Sequence, residues 1–169
     1  MRLILAILIA YLSSLQANGG LLKVDWSKTF VNKQKMQVLP KVLKDGIKDV
    51  TLPVYMPRYY LYEKDISVVS DANFYAITIP LDKATLMISG DRTYQEKVIS
   101  KAENLKFKMK SITNKFIKAE GIISIDFHRN GVNYSLVLEC DAPTTDQRCT
   151  DETFLKRVYN GLILIGGRR

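Results

Sequence analysis

Apolar and polar residues alternate over residues 122–140, IISIDFHRNGVNYSLVLEC. Ile123, Ile125 and Phe127 fall on one parity, and Ser124, Asp126 and His128 on the other. Asn130-Gly131 interrupts the alternation. A type I′ turn needs positive φ at both central residues, and Asn-Gly meets that need at little steric cost. A two-residue loop fixes the register. Phe127 is predicted to face Tyr134, Ile125 to face Leu136, and Ile123 to face Leu138, all on one apolar face. The polar face then pairs His128 with Asn133, Asp126 with Ser135, and Ser124 with Val137. Extending the ladder puts Cys140 on the apolar face, opposite Gly121.

The same reading extends along the chain. Residues 73–80 and 84–89 predict a second hairpin around Leu81-Asp82-Lys83, with Tyr75, Ile77 and Ile79 sharing a face. Residues 49–56 read as an extended strand that Pro53 and Pro57 confine to an edge or a strand end. Residues 66–69 read as a short strand. Lys41 to Asp45 fits a helical turn ending at Gly46. Residues 92–104 fit a short helix. Residues 105–116 satisfy both a helical 3–4 spacing and a strict alternation. The strand is favoured because a turn at Thr113-Asn114-Lys115 pairs Lys108 with Glu120, Met109 with Ala119 and Phe107 with Gly121. Leu105, Phe107 and Met109 then join the apolar face of the hairpin. Residues 150–161 predict a helix, with Thr150 as N-cap and Asp151 and Glu152 in the first turn. Its apolar stripe is Phe154, Leu155, Val158, Tyr159 and Leu162.

These elements predict an α+β domain over residues 49–169. It is an antiparallel sheet of hairpins with a C-terminal helix packed on one face. Residues 18–48 form a Lys-rich lead-in, from which Trp26 is expected to anchor onto the domain. The chain of 169 residues is long enough to bury a core without help from a metal.

Residues 1–17, MRLILAILIAYLSSLQA, have the order of a secretory signal: Arg2, an apolar run from Leu3 to Leu12, and a small residue, Ala17, at a cleavage point. The competing reading is a membrane anchor, but the apolar run is about half of the ~20 residues a span needs. Cleavage near Ala17 and release into the periplasm is therefore expected, with membrane targeting only transient and through the signal. Export changes the meaning of the two cysteines, Cys140 and Cys149. In an oxidising compartment an even pair at this spacing reads as a disulfide. It would staple the start of the helix to the sheet. A zinc site lacks ligands, since His128 is the single histidine, and no metal or cofactor is expected.

Lys plus Arg is 25 and Asp plus Glu is 17, a net charge of +8. For an exported chain the anionic partners are lipid head groups, lipopolysaccharide or cell-wall polymer rather than nucleic acid. The same excess also serves solubility. If 105–110 is a strand, Lys106, Lys108 and Lys110 project together and form a candidate anionic-surface site. Arg58, Tyr59, Tyr60 and Tyr62 could stack on sugar rings or anchor at a lipid interface. The alternative, which burial statistics favour, is tyrosines covering the core edge.

LPVYMP, NFYAITIPLDKATLMISGDR, GVNYSLVLEC and RCTDETFL before a final IGG together resemble a set of uncharacterised exported proteins of Gram-negative bacteria. Their pattern is a Pro-Val-x-x-Pro strand, a Phe-Tyr strand, and a hairpin ending in Glu-Cys with a second Cys before a helix. The resemblance spans roughly residues 49–167 and implies a periplasmic location with no activity attached. The order of parts also resembles small domains of bacterial envelope sensors, which bears on fold alone.

Catalytic patterns are sparse. The chain has no Gly-rich phosphate loop, no His-Glu pair and no nucleophile elbow. Ser124, Asp126 and His128 share a strand face, but an open wet sheet offers no oxyanion hole. Cys140 and Cys149 are not spaced as a C-x-x-C redox pair. The favoured function is a non-enzymatic binding or structural module of the cell envelope, with an envelope protein or an anionic envelope component as partner. The alternative is a periplasmic enzyme with an unrecognised active site.

Overall fold

The computed structural model describes residues 19–29, 38–95 and 115–169. Its centre is a six-stranded antiparallel sheet in the order β3-β4-β5-β9-β8-β7. These strands are β3 (Ser67–Ser70), β4 (Phe74–Leu81), β5 (Ala84–Asp91), β7 (Phe116–Ala119), β8 (Ile122–Arg129) and β9 (Val132–Cys140). Two strand pairs lie outside it. β1 (Gly19–Leu21) pairs with β6 (Thr93–Gln95), and β2 (Val54–Pro57) pairs with β10 (Leu162–Gly166). The helices are α1 (Lys41–Ile47), α2 (Gln147–Thr150) and α3 (Thr153–Asn160). The chain is thus α+β, with its C-terminal helical region on one face of an antiparallel sheet. No helix among the described residues is long and apolar enough to cross a membrane.

The β8–β9 hairpin has the predicted register, with Phe127 opposite Tyr134, Ile125 opposite Leu136 and Ile123 opposite Leu138. Asn130 and Gly131 have φ of 53° and 78°, as a type I′ turn requires. Gly131 also admits the lead-in, because a Cβ there would lie 2.2 Å from the Lys23 carbonyl oxygen. The alternation sends Ile123, Ile125, Phe127, Tyr134, Leu136 and Leu138 inward and leaves Asp126 and His128 exposed. Tyr75, Ile77, Ile79, Leu86 and Ile88 extend that buried face across β4 and β5. One face dry and one face wet is the usual economy of an antiparallel sheet.

Several local expectations are corrected. The β4–β5 loop has two residues, Asp82-Lys83, because Leu81 pairs with Ala84. The chain reverses at Glu120-Gly121, where φ is 51° and 83°, so 116–119 is a separate strand against β8 rather than its continuation. Gly121 and Glu120 are therefore turn residues and not the ladder partners assigned to Phe107 and Lys108. Residues 93–95 are strand, not helix. Helix α1 runs through Gly46 to Ile47. There the glycine serves packing, since a Cβ would lie 2.7 Å from Val68. The predicted helix over 150–161 is two pieces: Thr150 ends α2, and the Asp151 carboxylate accepts the Thr153 N–H ahead of α3. The calls on residues 1–17, on 96–104 and on 105–110 lie outside the described residues.

The dry face is covered by α1, α3 and the β2–β10 ribbon. Leu39, Leu43 and Ile47 from the lead-in, Val54 and Met56 from β2, Leu155 and Val158 from α3, and Ile165 from β10 enter the same core. Pro53 and Pro57 bracket β2, which pairs along one edge only, with β10. Tyrosine hydroxyls of the main sheet satisfy backbone groups of this segment. Tyr75 Oη accepts the Tyr55 N–H at 2.9 Å and donates to the Tyr55 carbonyl at 3.2 Å. Tyr134 Oη donates to the Pro53 carbonyl at 2.9 Å. Gly90, paired with both tyrosines, makes room for them: a Cβ there would lie within 2.6 Å of Tyr75 and 2.8 Å of Tyr134. Arg129 closes the cluster, its guanidinium 4.9 Å from the Tyr55 ring centroid and 5.4 Å from that of Phe127.

Cys140 at the end of β9 and Cys149 in α2 form a disulfide, with Cα atoms 6.3 Å apart. The bond joins the last strand of the sheet to the helical region, as the sequence predicts. Cys149 sits inside a helical turn of its own rather than one residue before a cap.

Two measurements follow from this packing. Cys149→Ala should lower the stability of the oxidised protein by about 2–3 kcal/mol and leave that of the reduced protein nearly unchanged. Tyr75→Phe strands the buried Tyr55 N–H and should cost ~1–3 kcal/mol, more than Tyr134→Phe, which strands only a carbonyl. Denaturant titrations of the variants give both values, and an equal cost for the two tyrosines would contradict the assigned bonding.

Candidate functional site

The β2–β10 pairing places two remote pieces of chain side by side. A 3-10 turn, Arg58–Tyr60, leaves the end of β2, and α3 leads through Gly161 into β10. The Arg58 N–H donates to the Gly161 carbonyl at 3.0 Å and locks the junction. Tyr59 therefore stands over the C-terminal end of α3, beside Arg157 and Val158. Together with Tyr60 these residues line a concavity of about 350 Å³. A second concavity, of about 470 Å³, also borders Arg157 and is lined by Gln147, Arg148, Thr150, Asp151, Thr153 and Phe154. Arg157 is common to both.

The cations here are held differently. Arg148 is half-buried and fixed: its Nε donates to both Asp146 carboxylate oxygens, at 2.9 and 3.1 Å, and Nη2 donates to the Asp82 carbonyl. Asp146 also accepts the Arg148 backbone N–H, at the start of α2. Hydrogen bonds from the Arg148 side chain, then from its backbone, hold the Asp146 carboxyl down at about 2. Arg157 is exposed, with its guanidinium 5.6 Å from the Phe154 ring centroid and no carboxylate within ion-pair distance among the described residues. Burial raises the Tyr60 hydroxyl above the ordinary tyrosine value, against the opposing pull of Arg157 and Arg148. That hydroxyl stays protonated at neutral pH and available as a donor.

The sequence-level candidates are distributed otherwise. Of the tyrosines 59, 60 and 62, only Tyr60 packs against the core; Tyr59 and Tyr62 are 65% and 64% exposed. The core-edge reading therefore holds for one of the three. His128 Nδ1 lies 2.9 Å from Asn133 Oδ1, its cross-strand neighbour, on the wet face. Lys106, Lys108 and Lys110 lie outside the described residues. Neither Arg148 nor Arg157 stands out in the sequence. Their proximity to Tyr59 depends on strand pairing that local pattern does not reveal.

Chemically, the arrangement suits recognition of negative charge next to aromatic surface. The two carboxyls with resolved shifts, Asp146 and Asp151, are both shifted down by hydrogen bonding, which favours the ionised form and suits neither to act as a general acid. Among the described residues no group of three His, Cys, Asp or Glu side chains could hold a metal ion. No protein-family model, curated protein or solved structure matches the chain.

The Asp146 shift sets a pH dependence. Its folded value lies below the unfolded 3.8, so the carboxylate contributes stability above pH 3.8 that is lost as pH falls towards 2. Asp146→Asn should remove that part of the acid sensitivity. Melting temperatures of parent and variant between pH 5 and about 2 would converge as the pH drops, and a constant gap would show that Asp146 does not titrate in this window.

Proposed function

We propose that the chain is an exported, periplasmic, non-enzymatic binding module of the cell envelope whose partner is an anionic envelope component. The observation that carries this reading is the meeting of Arg148 and Arg157 with Tyr59 and Tyr60 at the β2–α3 junction, with Arg58 exposed next to Tyr59 in the chain. Guanidinium groups next to aromatic rings recognise carboxylate and phosphate while the rings hold the apolar part of a ligand. Export is supported by the order of residues 1–17 and by the disulfide, a bond that persists in oxidising compartments and is rare in reducing ones. The resemblance to exported proteins of Gram-negative bacteria points the same way and adds no activity.

One preparation tests both halves of the reading. Tagged protein recovered from the envelope fraction of its native host is expected to begin at Asn18 by mass spectrometry; a chain still beginning at Met1 would indicate a tether. The mature protein should co-sediment with that fraction at low salt and be released as ionic strength rises. Arg58→Gln combined with Arg157→Gln, with unchanged melting temperature, should abolish most of the sedimentation. Changing Lys106, Lys108 and Lys110 to Gln in a second variant asks how much of the attraction resides in that segment instead. Sedimentation indifferent to salt and to the arginine changes would remove the anionic partner.

A further inference from the structure

We propose that the concavity between Tyr59 and Arg157 is a subsite for one sugar ring bearing an anionic group, within an acidic glycan chain. The inference rests on the anionic-partner reading above and names its chemistry.

Tyr59 is exposed yet held. Its backbone follows the Arg58 N–H bond to the Gly161 carbonyl, and its ring edge abuts Gly161. A Cβ at Gly161 would lie 3.1 Å from Tyr59 Cε2, while the φ of −89° there is open to any residue. The small residue at this point makes space for the ring. Tyr59 is thus backed on one side and open on the other, which is the form of a stacking platform. Rings of this kind pack against the C–H face of a sugar and leave its hydroxyls to hydrogen bond.

The neighbouring charge specifies the rest. Arg157 borders the same concavity and has no carboxylate at ion-pair distance among the described residues, so its fork is available for a carboxylate or phosphate. Shape argues against a bilayer surface. The half-buried Tyr60 and the buried Val158 lie recessed in the site, where a flat array of head groups does not enter. A volume of about 350 Å³ is at the small end of ligand sites and suits a single ring. The larger concavity that shares Arg157 holds the polar side chains Gln147, Thr150 and Thr153 together with the ionised Asp151 carboxylate, a lining that suits the hydroxyls of a following sugar and leaves the anionic group to the Arg157 side. Sharing of Arg157 between the two makes a chain of sugars a better fit than a monosaccharide.

Isothermal titration of the mature, oxidised protein tests the assignment. The probes are tetragalacturonate, the neutral galactotetraose, and inorganic polyphosphate, which has charge but no ring. A mannose oligosaccharide bearing phosphate forms a fourth arm and separates phosphate from carboxylate as the anionic group. At least one charged oligosaccharide should bind, and galactotetraose at least about tenfold more weakly. Tyr59→Ala, checked for an unchanged melting temperature, should weaken the charged oligosaccharide by about tenfold or more and leave polyphosphate unaffected. Tyr59→Phe should restore binding, and Arg157→Gln should weaken every anionic probe. Polyphosphate binding as tight as the charged sugars, with no effect of Tyr59→Ala, would overturn the sugar subsite while leaving an anionic partner in place. Galactotetraose binding as tightly as tetragalacturonate would overturn the anionic requirement. Binding by none of the charged probes would overturn the subsite and the anionic-partner reading of this face together.

Discussion

Two tyrosine hydroxyls join the β2 segment to the six-stranded sheet. β2 is hydrogen-bonded along one edge only, and its prolines exclude it from the interior of a sheet. Buried backbone groups without partners are costly, so the segment needs donors and acceptors from elsewhere. Tyr75 and Tyr134 supply them from the six-stranded sheet, through three bonds to Tyr55 and Pro53. The rings fill the interior, and burial pushes both hydroxyls far above the ordinary tyrosine value. They act as fixed neutral hydrogen-bonding groups. Gly90 is the matching concession, giving up a side chain near the end of β5 so that both rings fit.

The candidate site inherits its geometry from that arrangement. β10 pairs with β2, and this pairing sets where the chain on either side of the ribbon lies. The turn after β2 brings Tyr59 and Tyr60, and the helix before β10 brings Arg157 and Val158. The other end of the helical region is held separately. The disulfide ties α2 to β9, Arg148 reaches the β4–β5 turn at Asp82, and Lys118 of β7 donates to the Thr150 carbonyl. Arg148 is thereby positioned by a bond network, whereas Arg157 is left to solvent. One guanidinium on this surface is fixed by its bonds and the other is exposed beside the Phe154 ring.

Where the structure departs from local pattern, the causes are specific. Glu120 occupies a positive φ that favours Asn, Asp or Gly, so the turn at Glu120-Gly121 showed only half of its signature. Residues 162–166 form a short apolar run with no alternation, and a bulge between Leu164 and Gly166 breaks whatever period remains. Thr150 and Asp151 can both cap a helix. Neither is the N-cap of α3, which is Glu152: Thr150 closes a turn around Cys149 that Asp146 caps, and the Asp151 carboxylate takes the Thr153 N–H between the two helices.

What the sequence determined by itself was whatever its neighbours in the chain could enforce. Asn130-Gly131 and a strict period of two set the register of the central hairpin, and that register set which residues face the core. The cysteine spacing, read with the hairpin, gave the staple. Tertiary structure decided the pairing of Val54–Pro57 with Leu162–Gly166, the tyrosine bonds that hold it, and the meeting of Tyr59 with Arg157. Those contacts join segments far apart in the chain, and their free energy comes from burying two incomplete elements against one sheet. No local pattern encodes such a choice, because each partner alone is only a short apolar run with unsatisfied backbone.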